Sequence, residues 1–278
     1  MSKQIALVFG GTRGTRGIGA ACVHKLAEAG YDVAYTYVSS APNLPAKMGG
    51  SRIKGYAVDI CDSAQVAQAF ADVARDFGAA PSCVVANAGI NMPPGPVAQF
   101  KPEAFRQLVE VNIVGAFNVL SAAAQHVLDG GNIIALTTSM VRVGIPGGGP
   151  YTATKAAVES LVRSMARELA GRGVRVNAVA PGPVDTDLFR AGKTDEAKAK
   201  AAGMSPFNRI GTPDEIAEVV SFLSAIQACV AAIIRWYVRT RLCARSTDGP
   251  FRRAAGIAGA RCRRRRACRS GRDPRVAA

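Results

Sequence analysis

A doubly wound parallel α/β sheet, with helices on both faces, is the fold class predicted by this 278-residue chain. Three observations predict it. Short apolar runs alternate with stretches of helical periodicity, the pattern of strands joined by crossover helices. The polar and glycine-rich motifs fall just after the apolar runs, where such sheets bind ligands. Hydrophobic residues make up 49% of the chain, enough to fill one large core.

The first strand is Ile5–Phe9, followed by a glycine-rich turn and a helix over Ala20–Ala29 that Gly30 ends. Val33–Tyr37 and Ile53–Val58 read as the next strands. Asp62 opens a helix over Ala64–Phe77, with Gln65 at capping-box distance. Cys83–Ala86, Ile133–Leu136 and Val174–Val179 are further strands, with helical stretches between them at Glu103–Leu128 and Tyr151–Ala170. A last helix begins at Thr212, with Pro213 at its first position and Glu215 completing a capping box, and runs to Leu223.

Charge divides the chain in two. Of the net charge of +15, residues 226–278 carry +12, from 14 Arg against 2 acidic residues, while residues 1–225 carry +3. Residues 1–225 are therefore expected to form the folded domain, and residues 226–278 an Arg-rich tail that is disordered or frameshifted. The tail holds four of the seven cysteines. Cys22, Cys61 and Cys83 read as reduced core residues, and no histidines stand at metal-ligand spacing beside them. Arg263–Arg266 come without interleaved aromatics or a recognition motif, so nucleic acid is not an expected partner. The N-terminus lacks the pattern of a signal peptide, and no apolar run approaches the ~20 residues that span a bilayer. A soluble cytoplasmic protein is expected.

The turn after the first strand, Gly10-Gly11-Thr12-Arg13-Gly14-Thr15-Arg16-Gly17-Ile18-Gly19, suits a pyrophosphate. Glycines let the backbone approach closely, and the next helix offers free amides and its dipole. The second strand ends without an acid for a ribose 2′-hydroxyl, while Arg13 and Arg16 suit a 2′-phosphate. NADP(H) is therefore expected over NAD(H). Asp59 has two readings that the sequence leaves open, a turn cap or an acceptor for the adenine amino group. Tyr151 and Lys155, four apart on a helix, share one face, and an ammonium beside a phenol favours the phenolate. A tyrosine tuned in this way exchanges a proton with a substrate oxygen.

Assembled, these residues resemble the short-chain dehydrogenase/reductase family over residues 3–225, and within it the 3-oxoacyl-acyl-carrier-protein reductase type. The carrying motifs are the glycine turn, Asp59, Ala86-Asn87-Ala88-Gly89, Asn112 in Val111-Asn112-Ile113-Val114-Gly115, a Thr-Thr-Ser run before Tyr151 and Lys155, and Pro181-Gly182-Pro183-Val184-Asp185-Thr186. The resemblance implies a Rossmann-like fold and an NADPH-dependent reduction of a ketone, with Asn112, Ser139, Tyr151 and Lys155 as the catalytic set. Tyr151 would protonate the carbonyl oxygen, Lys155 would lower its pKa and hold the nicotinamide ribose, and Asn112 would complete a proton relay to Lys155. Gly10, Arg16, Gly17, Ile18, Gly19, Asp59, Ile60, Asn87, Ala88 and Gly89 would line the cofactor groove with Tyr151, Lys155, Pro181 and Gly182, and Val184 and Thr186 would hold the carboxamide end. It also implies a homotetramer or homodimer that acts on a small carbonyl or alcohol, with the segment from Asp187 to Ile210 as a lid.

Three departures stand out. The glycine turn is three residues longer than the family's, with Thr12-Arg13-Gly14 repeated as Thr15-Arg16-Gly17. The family serine falls at Thr138, one residue before the preferred Ser139. After residue 225 the family's last strand is replaced by Arg-rich sequence, as a shifted reading frame would produce, and the sheet is expected to have an unpaired edge.

Overall fold

The computed structural model describes residues 3–11, 17–39, 44–191 and 193–226, and the backbone of 233–236. The strands are β1 (Ile5–Phe9), β2 (Asp32–Tyr37), β3 (Lys47–Met48), β4 (Ser51–Ala57), β5 (Cys83–Ala86), β6 (Asn132–Leu136), β7 (Arg175–Pro181) and β8 (Ile233–Trp236). They form one sheet in the order β3-β4-β2-β1-β5-β6-β7-β8, parallel except for the β3–β4 hairpin. β1 and β6 are buried at every position, as strands covered on both faces must be.

The helices are α1 (Ile18–Glu28), α2 (Ser63–Phe77), α3 (Pro102–Val109), α4 (Ala116–His126), α5 (Gly149–Glu168), α6 (Asp187–Arg190), α7 (Asp195–Gly203) and α8 (Pro213–Ala225). One core joins α2, α4 and α5 to the sheet through Phe70, Leu120 and Val162; the other joins α1 and α8 through Leu26, Ile216 and Val220. The doubly wound architecture predicted from the alternation is the one found.

Local chemistry sets the helix ends. The α8 capping box is present, with Glu215 N–H donating to Thr212 Oγ1 at 3.3 Å and Thr212 N–H to Glu215 Oε2 at 2.8 Å. At α2 the expected box takes another form. Asp62 Oδ1 accepts from Ala64 and Gln65 N–H, but the Gln65 amide donates to Asp62 Oδ2 and accepts from Asp59 N–H at 3.0 Å. Gln65 thus braces the turn that carries Asp59.

Three features differ from expectation. The helical stretch Glu103–Leu128 is interrupted by a π-helical segment, Glu110–Gly115, which contains Asn112. The run Pro102–His126 is long and apolar enough to cross a membrane, the only such helix among the described residues. Its apolar residues Leu108, Val119, Leu120 and Ala123 are buried in the protein. The expected open edge beyond β7 is also corrected. The backbone of Ile233–Trp236 pairs in parallel with Ala178–Pro181. Consecutive β-branched Ile233 and Ile234 favour a strand there, and the pairing satisfies groups on β7 that an edge would expose. The remaining residues of the Arg-rich tail, including Arg263–Arg266, lie outside the described residues.

Candidate active site

Because β1, β2, β4, β5, β6 and β7 run parallel, their carboxyl ends lie along one edge of the sheet. Each site residue expected from the sequence follows one of these strands or lies on a helix packed beside it.

After β1, Gly10 adopts φ +76°, with its N–H donating to Thr36 Oγ1 at 3.1 Å. A Cβ on Gly10 would stand 2.5 Å from Ala88 Cα, and one on Gly19 would strike the Gly10 carbonyl and come within 2.8 Å of Asn87 Nδ2. The Asn87 amide donates to the Gly10 carbonyl at 2.7 Å. The first and last glycines of the turn are therefore clamped to the loop after β5, and only residues without side chains fit. Gly17 caps α1 with no side-chain hydrogen bond, and Ile18 opens the helix, leaving its first amides available to an anion. Arg13 and Arg16, the residues expected at a 2′-phosphate, lie outside the described residues. Beyond β4, exposed Asp59 accepts from Cys61 N–H at 2.9 Å through one oxygen, and buried Ile60 packs under Gly115.

Asn112 is 1% exposed, and its amide clamps the backbone of Ile90, accepting from its N–H at 2.8 Å and donating to its carbonyl at 2.9 Å. It also donates to Thr154 Oγ1 at 3.1 Å, and that hydroxyl in turn donates to the Tyr151 carbonyl at 2.7 Å. The π-helical turn thus points Asn112 inward and ties α5 to the loop after β5; π-bulges often mark functional positions. A Cβ on Gly89 would lie 3.0 Å from Asn112 Oδ1 and 3.2 Å from Lys155 Nζ. Gly89, Asn112 and Lys155 meet at one point.

After β6, Thr138 caps a one-turn 3₁₀ helix, Ser139–Val141, by accepting from Met140 N–H at 3.3 Å. Its hydroxyl is committed to the turn. The hydroxyl of Ser139, also buried, has no hydrogen-bond partner among the described residues, and neither has the Tyr151 hydroxyl. The turn packs against α5, which carries Tyr151 and Lys155.

The electrostatics differ from the sequence expectation. Lys155 is buried, and its ammonium donates to the Leu136 carbonyl at 3.0 Å. Burial pushes it down to about 8 and pushes Tyr151 up to about 12. The expected lowering of Tyr151 by Lys155 is not found in this arrangement. Desolvation of the charged forms dominates both groups, and the ammonium is spent on a backbone carbonyl. At neutral pH Tyr151 therefore holds its proton.

Pro181 ends β7 and Gly182 follows it. Val184 is buried and bridges Gly211, and Thr186 accepts from Phe189 N–H at 3.0 Å as the cap of α6. The Thr186 side chain, expected at the carboxamide, thus holds the start of the segment that follows β7. That segment carries α6, α7 and the exposed Met204 and Phe207.

Sequence reasoning missed Thr154, Thr36 and Glu159. Glu159 is 1% exposed one turn beyond Lys155; it accepts from Thr137 Oγ1 at 3.4 Å and pairs with Arg142, on the Ser139 turn, at 3.5 Å. No spacing announces these contacts, which depend on tertiary packing; only the position of Thr154 beside Lys155 was a signal.

A family model described as Enoyl-(Acyl carrier protein) reductase matches residues 11–231. A short-chain type dehydrogenase/reductase of Picea abies is 36% identical over 81% of this chain and 87% of its own. A 3-oxoacyl-acyl-carrier-protein reductase of Staphylococcus aureus is 36% identical over 82% and 93%. The solved short-chain dehydrogenase of Burkholderia cenocepacia, in complex with NADP, is 31% identical with a TM-score of 0.74 over 84% of this chain and 96% of its own. With the glycine clamp, the Asn87–Gly89 loop and the Ser139, Tyr151 and Lys155 set at one sheet edge, this chain belongs to the short-chain dehydrogenase/reductase family.

Proposed function

We propose that the chain is a cytoplasmic, NADPH-dependent reductase of a ketone, of the 3-oxoacyl type or a related carbonyl. The observation that carries this reading is the pair of unpartnered hydroxyls, Ser139 and Tyr151, beside a lysine whose pKa is pushed down to about 8. The glycine clamp and the free amides of α1 fit a dinucleotide pyrophosphate, since each clamped glycine lies where a Cβ has no room. When bound, the nicotinamide supplies the hydride. Gly10, Gly17, Ile18, Gly19, Asn87, Ala88 and Gly89 would hold it, with Pro181, Gly182 and Val184 at its far end. NADP is favoured because Tyr37-Val38-Ser39 offers no acid at the end of β2, because Arg13 and Arg16 stand in the turn, and because the Burkholderia relative binds NADP.

The roles of the chain's own groups follow from their placement. Ser139 donates to the substrate oxygen and stabilises its developing charge. Tyr151, protonated at neutral pH, delivers its proton to that oxygen. Lys155 and Asn112, which meet at Gly89, return a proton to Tyr151 from solvent. Exposed Phe105, Val114 and Phe117 on the α3–α4 stretch give a second copy an apolar surface to cover.

A second reading, a nucleotide-binding member without efficient chemistry, is favoured by the Lys155–Leu136 hydrogen bond and the raised Tyr151. Titration with NADPH and NADH, followed by a ketone screen, separates the two. We expect NADPH to bind more tightly than NADH, and Tyr151→Phe to lose about 10²–10⁴-fold in ketone reduction while still binding NADPH. Wild-type NADPH binding without turnover of any ketone would favour the second reading, and failure to bind either nucleotide would overturn both.

A further inference from the structure

We propose that a cavity at the amino-terminal edge of the sheet, opposite the site described above, binds a small oxyanion, a carboxylate or a phosphate, through the Arg175 guanidinium. The cavity holds about 230 Å³ and is framed by Arg175, Lys3, Tyr31, Ser82, Gly131 and Ser224. That volume is several times the ~30 Å³ share of one water, so it seats a phosphate or a short dicarboxylate with some hydration.

The Arg175 side chain lacks a polar partner among the described residues. It is the first residue of β7 and half-buried, and its Nε is shielded from solvent with no hydrogen-bond partner. Among the described residues it makes no ion pair. A guanidinium cannot shed its charge to escape burial, so a partner must be supplied or the cost is borne.

The neighbouring candidates are all engaged. Asp129, on the cavity wall, is paired with Arg172 at 2.7 Å. Asp32 accepts from Arg52 through both oxygens at 2.8 Å and lies 3.8 Å from Lys3. The carboxyl end of α8 would suit a cation, but the Leu223 carbonyl accepts from the Asn132 amide at 2.6 Å and the Ser224 carbonyl from the Tyr31 hydroxyl at 3.3 Å. Asn132, the register partner of Arg175 across β6 and β7, keeps a buried Oδ1 with no donor among the described residues. That oxygen is an acceptor that water can serve, whereas Arg175 Nε is the donor at this corner that an oxyanion would satisfy. The planar guanidinium fork matches an oxyanion, and Lys3, bound to the Gly50 carbonyl at 2.6 Å, adds positive potential.

Thermal unfolding of the full chain tests this, with sodium phosphate, sodium malonate and sodium chloride compared at one ionic strength. At ~50 mM, phosphate or malonate should raise Tm by about 3 °C above chloride, the shift expected of a weak ligand near saturation. The larger of the two shifts identifies the preferred anion. Arg175→Gln should abolish the increment. Ala80→Glu, on a loop lining the same cavity, brings its own carboxylate; it should raise Tm in plain buffer and lose the phosphate response, and it serves if Arg175→Gln does not fold. Equal shifts in all three salts, or an oxyanion increment that survives Ala80→Glu, would overturn the proposal.

Discussion

The two edges of one sheet leave different kinds of group unpartnered. At the carboxyl edge these are the hydroxyls of Ser139 and Tyr151, beside a lysine pushed down to about 8. At the amino edge it is the guanidinium of Arg175. A hydroxyl donates, accepts and passes a proton on, whereas a guanidinium only donates and keeps its charge. The first edge is therefore equipped to move protons, and the second only to hold an anion. The same parallel strands build both, so the side chain at each strand end decides which chemistry an edge carries.

The largest effect expected within this comparison separates two adjacent hydroxyls. Ser139→Ala should lower kcat about 10²–10³-fold, the cost of removing one donor to a developing oxyanion. Thr138→Ala should leave kcat within a few-fold and cost about 1 kcal/mol of stability, since that hydroxyl serves as a cap. Steady-state kinetics beside denaturant unfolding of both variants check the pair. Equal losses of activity would show that the turn, rather than the free hydroxyl, is what matters.

Lys155 offers a test by pH. Its ordinary value of 10.5 is pushed down to about 8 in the fold. Between these values the unfolded chain binds more protons than the folded one, so the contribution of Lys155 to stability rises with pH through that window. Below pH 8 the whole cost of burying the ammonium is present. Tyr151 runs the other way: its pKa, ordinarily 10.0, is raised to about 12, so stability falls above pH 10. Urea unfolding between pH 7 and 10 should show a rising contribution in the wild type that Lys155→Met removes, and the variant should gain about 3 kcal/mol at pH 7. A wild-type profile parallel to that of Lys155→Met would mean that the lysine is not desolvated as placed.

How far the sequence exposes these arrangements depends on whether a contact is local. The β1 run, the Thr212–Glu215 capping box and the Tyr151–Lys155 face were legible because each is decided within a few residues, whereas the helix expected from Ala20 starts at Ile18. The β3–β4 hairpin was not read, although the Gly-Gly dipeptide at Gly49-Gly50, which adopts positive φ at both residues, suits a tight turn. What stayed hidden was non-local. The direction of the Tyr151 shift depends on burial by the folded chain, and the roles of Thr154 and Glu159 depend on which turns pack against α5. The β8 pairing was hidden for another reason, because arginine-rich composition outweighed the two isoleucines in the sequence reading.

Gly89→Ala is expected to have a smaller effect on stability. The added Cβ would press on Asn112 Oδ1 and Lys155 Nζ, and overpacking of this kind costs about 1–3 kcal/mol. Its value lies in the split between readouts. Activity should fall more than stability predicts, while the phosphate response at Arg175 should be unchanged. A variant that loses both responses together would indicate a general loosening of the sheet and erase the distinction between its edges.

The smallest effect bears on Asp59, where one carboxylate oxygen holds Cys61 N–H at 2.9 Å while the residue stays exposed at the carboxyl edge. Asp59→Asn keeps an oxygen for the turn and replaces the other with a donor amide. If the carboxylate only caps the turn, neither Tm nor nucleotide affinity should change. If it also accepts from the adenine amino group, Tm should hold while NADPH binding weakens about fivefold, near the 1 kcal/mol of one hydrogen bond. We expect the second outcome, because the turn is already braced by Gln65 at 3.0 Å and uses only one carboxylate oxygen. Fluorescence titration beside a melting curve decides it, and unchanged affinity would assign Asp59 to the turn alone.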